Sequence, residues 1–332
     1  MRKSTLLVVL LAVSLGGAVW YFEFKREKPA EDAAAASKPL FSFKQEEVVA
    51  LTVARGGVTL ALEKRGSGWR ITQPLDSSAD AGTADALLSS IAFSRISRTF
   101  PVTPPGSPEA LKGFGLDAPV VALTIKLKSG SEHRLRLGAK DFTGGYVYAL
   151  VDNAHDAALL PDDVLANSDK PLLEFRDRRI VVFDEETLVR IRVKNAHGAL
   201  MAAKNAEGKW LVSEPAAMKG KEVEPARMLS ALREARASEI LDAPRPADRA
   251  RFARPAVQIE LTAKDGAGTK LDFSAGAGEA DAYVRSSIGP MLFKVPRPVM
   301  DALNLKPDDV IKKEEPKREE SRKEENPARK QD

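Results

Sequence analysis

Alternating apolar and polar residues mark two consecutive strands near the beginning of the chain. Residues 48–54 and 58–64 place apolar side chains at about every second position, the period of a half-buried strand. Two glycines between these segments are typical of a hairpin turn. A further glycine turn leads into a third strand at Trp69. The pattern therefore predicts that the first domain begins with antiparallel strands.

The apolar period then changes to that of a helix. Between residues 80 and 94, Leu87, Leu88 and Ile91 form an apolar stripe that would face a core. A proline-rich loop follows, and then come four apolar segments that we interpret as a meander of strands: 120–127, 133–137, 146–151 and 157–160. Strands, one helix and further strands are typical of an α+β domain rather than of alternating βαβ units.

The same order of landmarks occurs twice. Trp69 and Pro74 match Trp210 and Pro215, in both cases about 141 residues later. Further matches, in chain order, are Leu87 with Met228, Phe114 with Phe252, Tyr146 with Tyr283, and Pro161 with Pro296. A constant order at a nearly constant offset predicts a duplication. Each copy is long enough to bury a core of its own.

The second copy shows the same sequence of predicted elements. Strands are expected at 189–193 and 200–204, before the strand at Trp210. A helix is expected at 224–237, with Pro225 in its first turn. The predicted fold class is therefore α+β: two tandem similar domains, each an antiparallel strand-rich sheet with one main helix, after a single N-terminal transmembrane helix.

The transmembrane prediction rests on residues 4–22, which carry no charge. At helical rise they span about 27 Å, enough for a bilayer core. A cleaved signal peptide is the alternative. However, the small residues at 33–36 lie behind a charged stretch, so we expect a retained anchor in the lipid bilayer. Lys and Arg on the two sides give no bias, but a short basic start favours a signal anchor with its N-terminus inside.

This orientation predicts a single-pass inner-membrane protein with both domains on the periplasmic or extracytoplasmic side. The expected organisation has six parts: a short basic segment (1–3), the anchor (4–22), a linker (23–39), repeat domain 1 (40–180), repeat domain 2 (181–311) and a charged tail (312–332). The tail contains KKEEP, KREES and RKEEN and has almost no apolar residue to bury, so we expect it to be disordered. A tether to a charged partner is the alternative interpretation.

Composition excludes several functions. Net charge is +4, both signs are interspersed, and aromatic residues make up 6%, so no nucleic-acid partner is expected. The chain has no cysteine, and its three histidines, His133, His155 and His197, lack metal-ligand spacing. No metal and no cofactor are predicted.

Motifs of catalysis are equally scarce. No phosphate-binding GxxxxGK[ST] and no GxSxG motif occurs in the sequence. The paired carboxylates at 162–163 and 308–309 follow prolines, and we interpret them as helix N-terminal charges. We therefore predict no catalytic residue and no enzymatic activity.

The densest basic cluster inside the folded part is Arg176-Asp177-Arg178-Arg179, at the junction of the copies. It predicts either local ion pairs or a contact for an anionic group or partner. The cluster, with Tyr146 and Tyr283, gives the candidate interaction residues. In contrast, the recurring anchors Trp69, Trp210, Pro74 and Pro215 are interpreted as structural.

These features together resemble the bacterial domain of unknown function 4340 family. The resemblance rests on an N-terminal anchor and on five motifs: Trp69 to Pro74, Phe114 to Pro119, Leu135 to Gly138, Tyr146-Val147, and Arg176 to Arg179. The second copy departs from the pattern, because FARP at 252–255 lacks the glycine and Ser274 replaces Gly138. The family has no established activity, so the resemblance implies no catalytic residues. Its members often look like companions of gliding-type ABC transport systems, which implies a membrane-linked accessory role.

Three functional hypotheses follow. The first is a non-enzymatic, membrane-anchored envelope protein that serves as an accessory or scaffold of a membrane- or transport-linked assembly, with a membrane protein partner such as an ABC-type transporter. The second is a module that binds envelope glycan or a small ligand, in a groove lined by the candidate interaction residues. The third is a hydrolase with an unrecognised site, which would need His133 or His155 beside a carboxylate and a hydroxyl.

Overall fold

The computed structural model describes residues 37–312, which separate into two compact units at the bond between Asp177 and Arg178. Within that range, no helix is both long enough and apolar enough to cross a membrane. The predicted anchor at 4–22 lies outside the described residues, as does nearly all of the predicted tail.

The first unit is rich in strands and has one main helix. Its strands are β1 (Lys38–Pro39), β2 (Val48–Arg55), β3 (Val58–Arg65), β4 (Gly68–Gln73), β5 (Ser77–Ser78), β6 (Arg95–Ile96), β7 (Arg98–Phe100), β8 (Val121–Leu127), β9 (Glu132–Lys140), β10 (Tyr146–Val151) and β11 (Ala157–Pro161). Its helices are α1 (Ala81–Ala92), α2 (Pro108–Lys112), α3 (Asp163–Ser168) and α4 (Leu172–Phe175), with a 3-10 turn at Gln45–Glu47.

Nine of these strands form one antiparallel sheet in the order β5-β4-β3-β2-β8-β9-β10-β11-β7. β1 and β6 form a separate pair. The main helix α1 begins after Asp80, whose carboxylate accepts a hydrogen bond from the Thr83 amide at 2.8 Å. Its predicted stripe of Leu87, Leu88 and Ile91 is buried in the core, together with apolar residues of the central strands.

The second unit repeats this composition. Its strands are β12 (Leu188–Asn195), β13 (Gly198–Lys204), β14 (Trp210–Glu214), β15 (Glu239–Leu241), β16 (Val257–Ala263), β17 (Gly268–Ser274), β18 (Asp281–Ser286) and β19 (Leu292–Pro296). Its helices are α5 (Ala226–Glu234), α6 (Pro246–Ala250) and α7 (Arg297–Leu303), with 3-10 turns at Ala216–Met218, Arg251–Ala253 and Pro307–Val310.

The two sheets share one topology. The second sheet has the order β14-β13-β12-β16-β17-β18-β19-β15, which repeats the order from β4 to β7 strand by strand. An irregularity in strand pairing recurs as well: the register shifts between Val48 and Ala50 where β2 pairs with β8, and between Leu188 and Arg190 where β12 pairs with β16. The prediction of two tandem strand-rich α+β domains is therefore confirmed.

One proposed match between the copies is wrong by two residues. Tyr283 lies opposite Lys294, which is two positions before Pro296, whereas Tyr146 lies opposite Pro161 itself. Because Pro161 and Pro296 end equivalent strands, the counterpart of Tyr283 is Tyr148. The first copy carries tyrosine at both positions, and β9 has a bulge opposite β10 that β17 lacks. Sequence similarity alone could not choose between the two tyrosines.

The recurring tryptophans have the same surroundings in both units. Trp69 and Trp210 are 6% and 9% exposed. The ammonium groups of Lys64 and Lys204 lie 5.1 and 5.2 Å from their respective ring centroids. Each ammonium also donates to a main-chain carbonyl nineteen residues earlier, that of Gln45 or Glu185, at 3.1 Å. The two units therefore share the buried tryptophan, the lysine over its ring and the carbonyl that the lysine contacts, and not the tryptophan alone.

The prolines that follow these strands also correspond. Gln73-Pro74 and Glu214-Pro215 both have cis peptide bonds. A cis bond is an uncommon backbone choice even before proline. Its presence at matched positions shows that the two copies share local backbone shape as well as topology.

Candidate functional site

The predicted basic junction divides between the two units. Arg176 is buried, and its main chain forms an isolated bridge with Ala79, while the Asp177 amide donates to the Ser78 carbonyl at 3.0 Å. In the second unit, the Arg178 carbonyl accepts from the Ala237 amide at 2.8 Å, and Arg179 bridges Arg236. The main chain of residues 176–177 thus pairs with the first unit, and that of residues 178–179 pairs with the second unit. An interaction role for the side chains of the cluster stays a prediction.

The predicted carboxylate pairs lie at helix starts. Asp162 precedes α3, and Lys140 donates to its carboxylate at 2.9 Å. Partial burial raises the pKa of Asp163, and the charge of Asp162 acts in the same direction. The Asp309 carboxylate accepts from the Lys306 amide at 3.2 Å, at the start of a 3-10 turn. These contacts agree with the interpretation of both pairs as helix N-terminal charges.

Of the three histidines, only His133 lies within hydrogen-bond distance of a carboxylate among residues 37–312. Its Nδ1 is 3.0 Å from an Asp152 oxygen, and its ring lies 4.5 Å from that of Phe41 and 5.7 Å from that of Phe43. This pairing fixes an imidazole on β9 against the segment before β2. Across residues 37–312, no group of three or more His, Asp or Glu side chains is placed to hold a metal ion.

Each unit has a pocket at the equivalent place, beside its first hairpin: the first unit's pocket borders the segment after α3, and the second unit's pocket borders the segment after α7. In the first unit it measures about 310 Å³, and Arg55 closes one side by donating to the carbonyl and carboxylate of Asp169 at 2.7 and 2.8 Å. In the second unit it measures about 30 Å³ and is lined mainly by apolar side chains. Asn195, the counterpart of Arg55, donates to the Leu305 carbonyl at 2.8 Å.

Tyr146 follows a loop that hydrogen bonds hold rigidly. The Asp141 carboxylate accepts from the Thr143 hydroxyl at 2.8 and 2.9 Å and from the Tyr146 amide at 3.1 Å. The Gly145 amide donates to the Thr143 hydroxyl at 3.2 Å. Partial burial opposes ionisation of Asp141, but these hydrogen bonds outweigh it and lower its pKa. The loop at 141–145 therefore has a fixed shape and a charged carboxylate at neutral pH.

At the tip of this loop, Phe142 is 99% exposed. Phe142 was not among the predicted interaction residues. An aromatic residue between turn-forming residues, as in Asp-Phe-Thr-Gly-Gly, nevertheless indicates an exposed apolar side chain. The equivalent loop of the second unit, residues 275–280, contains no aromatic residue. Phe142 therefore marks a surface on which the two copies differ, and we call residues 141–145 the Phe142 loop.

Tyr283 lies in a different environment, between two cations of the second unit. The Arg251 guanidinium lies 4.2 Å from its ring centroid, and the Lys294 ammonium lies 5.4 Å from it. Arg251 also makes a two-pronged contact with the Glu279 carboxylate, with both distances 2.9 Å. The candidate tyrosine thus belongs to a surface ion-pair cluster, whereas Tyr146 borders the Phe142 loop.

The Arg251–Glu279 pair predicts a pH dependence. The hydrogen bond from Arg251 lowers the pKa of Glu279 below its ordinary value, with the Gly276 amide acting in the same direction. A lowered pKa in the folded state stabilises the protein above the ordinary glutamate pKa, and this stabilisation is lost as pH falls through the lowered value. We expect wild type to melt above Glu279→Gln at pH 6, and the difference to shrink steadily towards pH 3.

Thermal unfolding of the full chain followed by circular dichroism measures this difference. Glu207→Gln, which removes the same charge from an exposed turn of the second unit, is the matched control. A melting difference between wild type and Glu279→Gln that stays constant from pH 6 to pH 3 would contradict the assignment.

The fold defines the chain as a tandem duplication of one α+β domain. A family model described as a domain of unknown function (DUF4340) matches residues 69–251 and, again, residues 210–317. The two matches begin at Trp69 and at Trp210, the first residues of the recurring motif, and together they cover well over half of the chain. The chain belongs to the DUF4340 family. No curated protein and no solved structure gives a significant match to it.

Proposed function

We propose that this protein is a non-catalytic accessory of a membrane-linked assembly, and that it binds a membrane protein partner through the Phe142 loop. In this proposal, the apolar segment at 4–22 anchors the chain in the inner membrane, and both units lie on the extracytoplasmic side. The family resemblance suggests an ABC-type transport system as the assembly. The observation that carries the proposal is the complete exposure of Phe142 on a loop of fixed shape.

Exposed aromatic side chains on rigid loops are suited to binding. A phenylalanine ring offers a large apolar surface, and leaving it in water forgoes about 1.5–3 kcal/mol of burial free energy. Because hydrogen bonds already fix the loop, binding would cost little further conformational entropy. Anchors of this kind, inserted into a partner's pocket, dominate many interface energies.

The charges around the loop indicate the chemistry of the partner's surface. Asp141 is held ionised beside Phe142, and the nearby Lys140 is already paired with Asp162. The partner should therefore offer an apolar pocket with Lys or Arg at its rim, since an acidic rim would repel Asp141. An anionic lipid surface would repel it in the same way, which favours a protein partner.

Photocrosslinking in native membranes tests the proposal. A benzoylphenylalanine at position 142 of the full chain should form a discrete adduct with one integral membrane protein. Position 277, exposed in the equivalent loop of the second unit, is the matched control and should form no such adduct. Excess wild-type chain should suppress the adduct, whereas Phe142→Ser should compete roughly thirtyfold less well or worse.

Equal suppression by wild type and by Phe142→Ser would contradict a role for the aromatic ring. Adducts of the same size and yield from positions 142 and 277 would contradict the loop as a specific site. Circular dichroism of Phe142→Ser should match wild type, since the ring makes no buried contact in the fold.

A further inference from the structure

The two units differ on the outer face of the sheet near β10 and β18. In the first unit a small apolar cluster covers this face, with Val102, Leu111, Leu116, Leu150 and Ala157 buried. Three aromatic rings pack around it, those of Phe100, Phe114 and Tyr148, with centroids 4.9–5.8 Å apart.

Strand register identifies the counterparts in the second unit. Leu150 lies opposite Arg136 across β10 and β9, and Arg285 lies opposite Asp272 across β18 and β17. Both Leu150 and Arg285 follow by two positions the equivalent tyrosines, Tyr148 and Tyr283. Arg285 therefore occupies the position of a buried leucine of the first unit.

The short helices α2 and α6 give a second replacement. Each begins at a proline, Pro108 or Pro246, and is followed by a phenylalanine, Phe114 or Phe252, at the same distance along the chain. Leu111 in α2 thus corresponds to Arg249 in α6. Two leucines of the apolar cluster in the first unit thus correspond to two arginines in the second unit, where the same face contains an open pocket.

Arg285 is held in place by a buried carboxylate. Asp272 is 2% exposed and accepts from Arg285 Nε and Nη2 at 3.0 and 2.5 Å. Its other oxygen accepts from the Gln258 side chain at 2.8 Å. The guanidinium also lies 5.0 Å from the Phe252 ring centroid. About half of the Arg285 side chain stays exposed, so the group is oriented yet open to solvent.

The open face contains a pocket of about 380 Å³ whose lining includes Arg249, Lys270, Asp272, Arg285, Ser286 and Ser287. Lys270 pairs with Glu260 at 3.2 Å, and Asp272 is satisfied by Arg285 and Gln258. Within the described part of the chain, Arg249 has no carboxylate within ion-pair distance. Positive charge therefore exceeds negative charge around the pocket.

This arrangement is costly if its role is structural alone. Burying the Asp272 carboxylate carries a desolvation cost, and well-packed apolar residues of similar volume often stabilise a protein as much as such an ion pair or more. In the first unit, which has the same strand order, an apolar cluster covers the equivalent face. Oriented cations facing an open pocket are instead the usual way to bind an anion, since guanidinium groups match the geometry of phosphate oxygens.

We propose that this pocket binds the phosphate group of a small molecule or of a lipid headgroup. Arg285 and Arg249 donate to the phosphate oxygens, Lys270 adds charge, and the serine hydroxyls lie at the pocket wall. The proposal concerns the second unit and does not rest on a role for the Phe142 loop.

Calorimetric titration of the full chain, purified in an uncharged detergent, tests the inference. The probes are inorganic phosphate, glycerol 3-phosphate and the water-soluble dihexanoyl phosphatidylglycerol, with dihexanoyl phosphatidylcholine as the zwitterionic comparison. We expect saturable binding of the three anionic probes and weaker binding of the zwitterionic phosphatidylcholine. Arg249→Leu, which installs the residue of the first unit, should weaken it about tenfold to a hundredfold. Lys209→Gln, the same loss of charge on an exposed turn of the second unit, should leave it unchanged.

The probes distinguish the two sources of phosphate. Tighter binding of glycerol 3-phosphate identifies a soluble ester, and tighter binding of phosphatidylglycerol identifies a lipid headgroup. Absence of binding to every anionic probe at millimolar concentration overturns the proposal, as does equal binding by Arg249→Leu and Lys209→Gln. Phe142→Ser should bind phosphate as wild type does, so failure here and failure of the partner proposal are separate results.

Discussion

Replacing Trp69 with alanine is expected to lower the free energy of unfolding of the first unit by about 3–5 kcal/mol. The indole is buried near the start of β4 beside α1, so its removal leaves a cavity as well as lost apolar burial. Two polar contacts disappear with it. The indole N–H donates to Asp85 at 2.7 Å, and the Lys64 ammonium lies over the ring.

Hydrogen exchange measured by mass spectrometry locates this effect within the chain. Amides of β2 to β4 in Trp69→Ala should exchange on the order of 10² to several times 10³ faster than in wild type, which corresponds to that loss of free energy. Trp210→Ala is the matched variant, and its largest loss of protection should fall on β12 to β14. Equal loss across both units in either variant would show that the tryptophan does not act on its own core.

Replacing Gly138 with serine is expected to destabilise the first unit by about 1–3 kcal/mol. A Cβ at this position would overlap the Phe114 carbonyl oxygen and crowd the main chain of Gly115. Gly115 itself has φ of +66°, and a Cβ there would lie 2.8 Å from the Ala139 amide. The two glycines let two backbone segments touch, with the Ala139 amide donating to the Phe114 carbonyl at 2.9 Å.

The second unit supplies the control for this substitution. Ser274 occupies the position of Gly138, and its hydroxyl donates to the Arg251 carbonyl at 3.0 Å. In the second unit, a serine hydroxyl therefore links the two segments, whereas in the first unit the two backbones are in direct contact. Ser274→Gly should cost only about 1 kcal/mol for one lost hydrogen bond and added flexibility. Urea unfolding midpoints of both variants measure the contrast, and a Gly138→Ser variant as stable as wild type would refute the steric argument.

Most strands could be predicted from the sequence because one face of each sheet is buried. The alternation at 48–54, 58–64 and 146–151 agrees with β2, β3 and β10 to within one residue at each end. The main helix was also predictable, since Leu87, Leu88 and Ile91 all reach the core. The repeat was visible because Trp and Pro are rare enough for their spacing to stand out.

What the sequence could not give was register and long-range pairing. β7 and β15 have only three residues each and join the sheets beyond β11 and β19, far along the chain. The choice between Tyr146 and Tyr148 depends on a bulge at residues 138–139, where Gly138 is compatible with a bulge but does not fix the register of the next strand. Without register, the replacement of Leu111 and Leu150 by Arg249 and Arg285 cannot be recognised. The charged pocket therefore could not be predicted from the sequence, whereas the Phe142 loop could have been.

The shared topology has a consequence for how the chain folds. In each unit a central pairing closes the sheet across a long separation, β2 with β8 and β12 with β16. Such contacts form late, and repeat proteins are prone to exchange equivalent elements between copies. Facing side chains differ at these pairings, since Thr52 lies opposite Thr124 whereas Arg192 lies opposite Glu260. An exchanged pairing would separate Arg192 from Glu260, so this difference in facing charges disfavours exchange between the copies at that position.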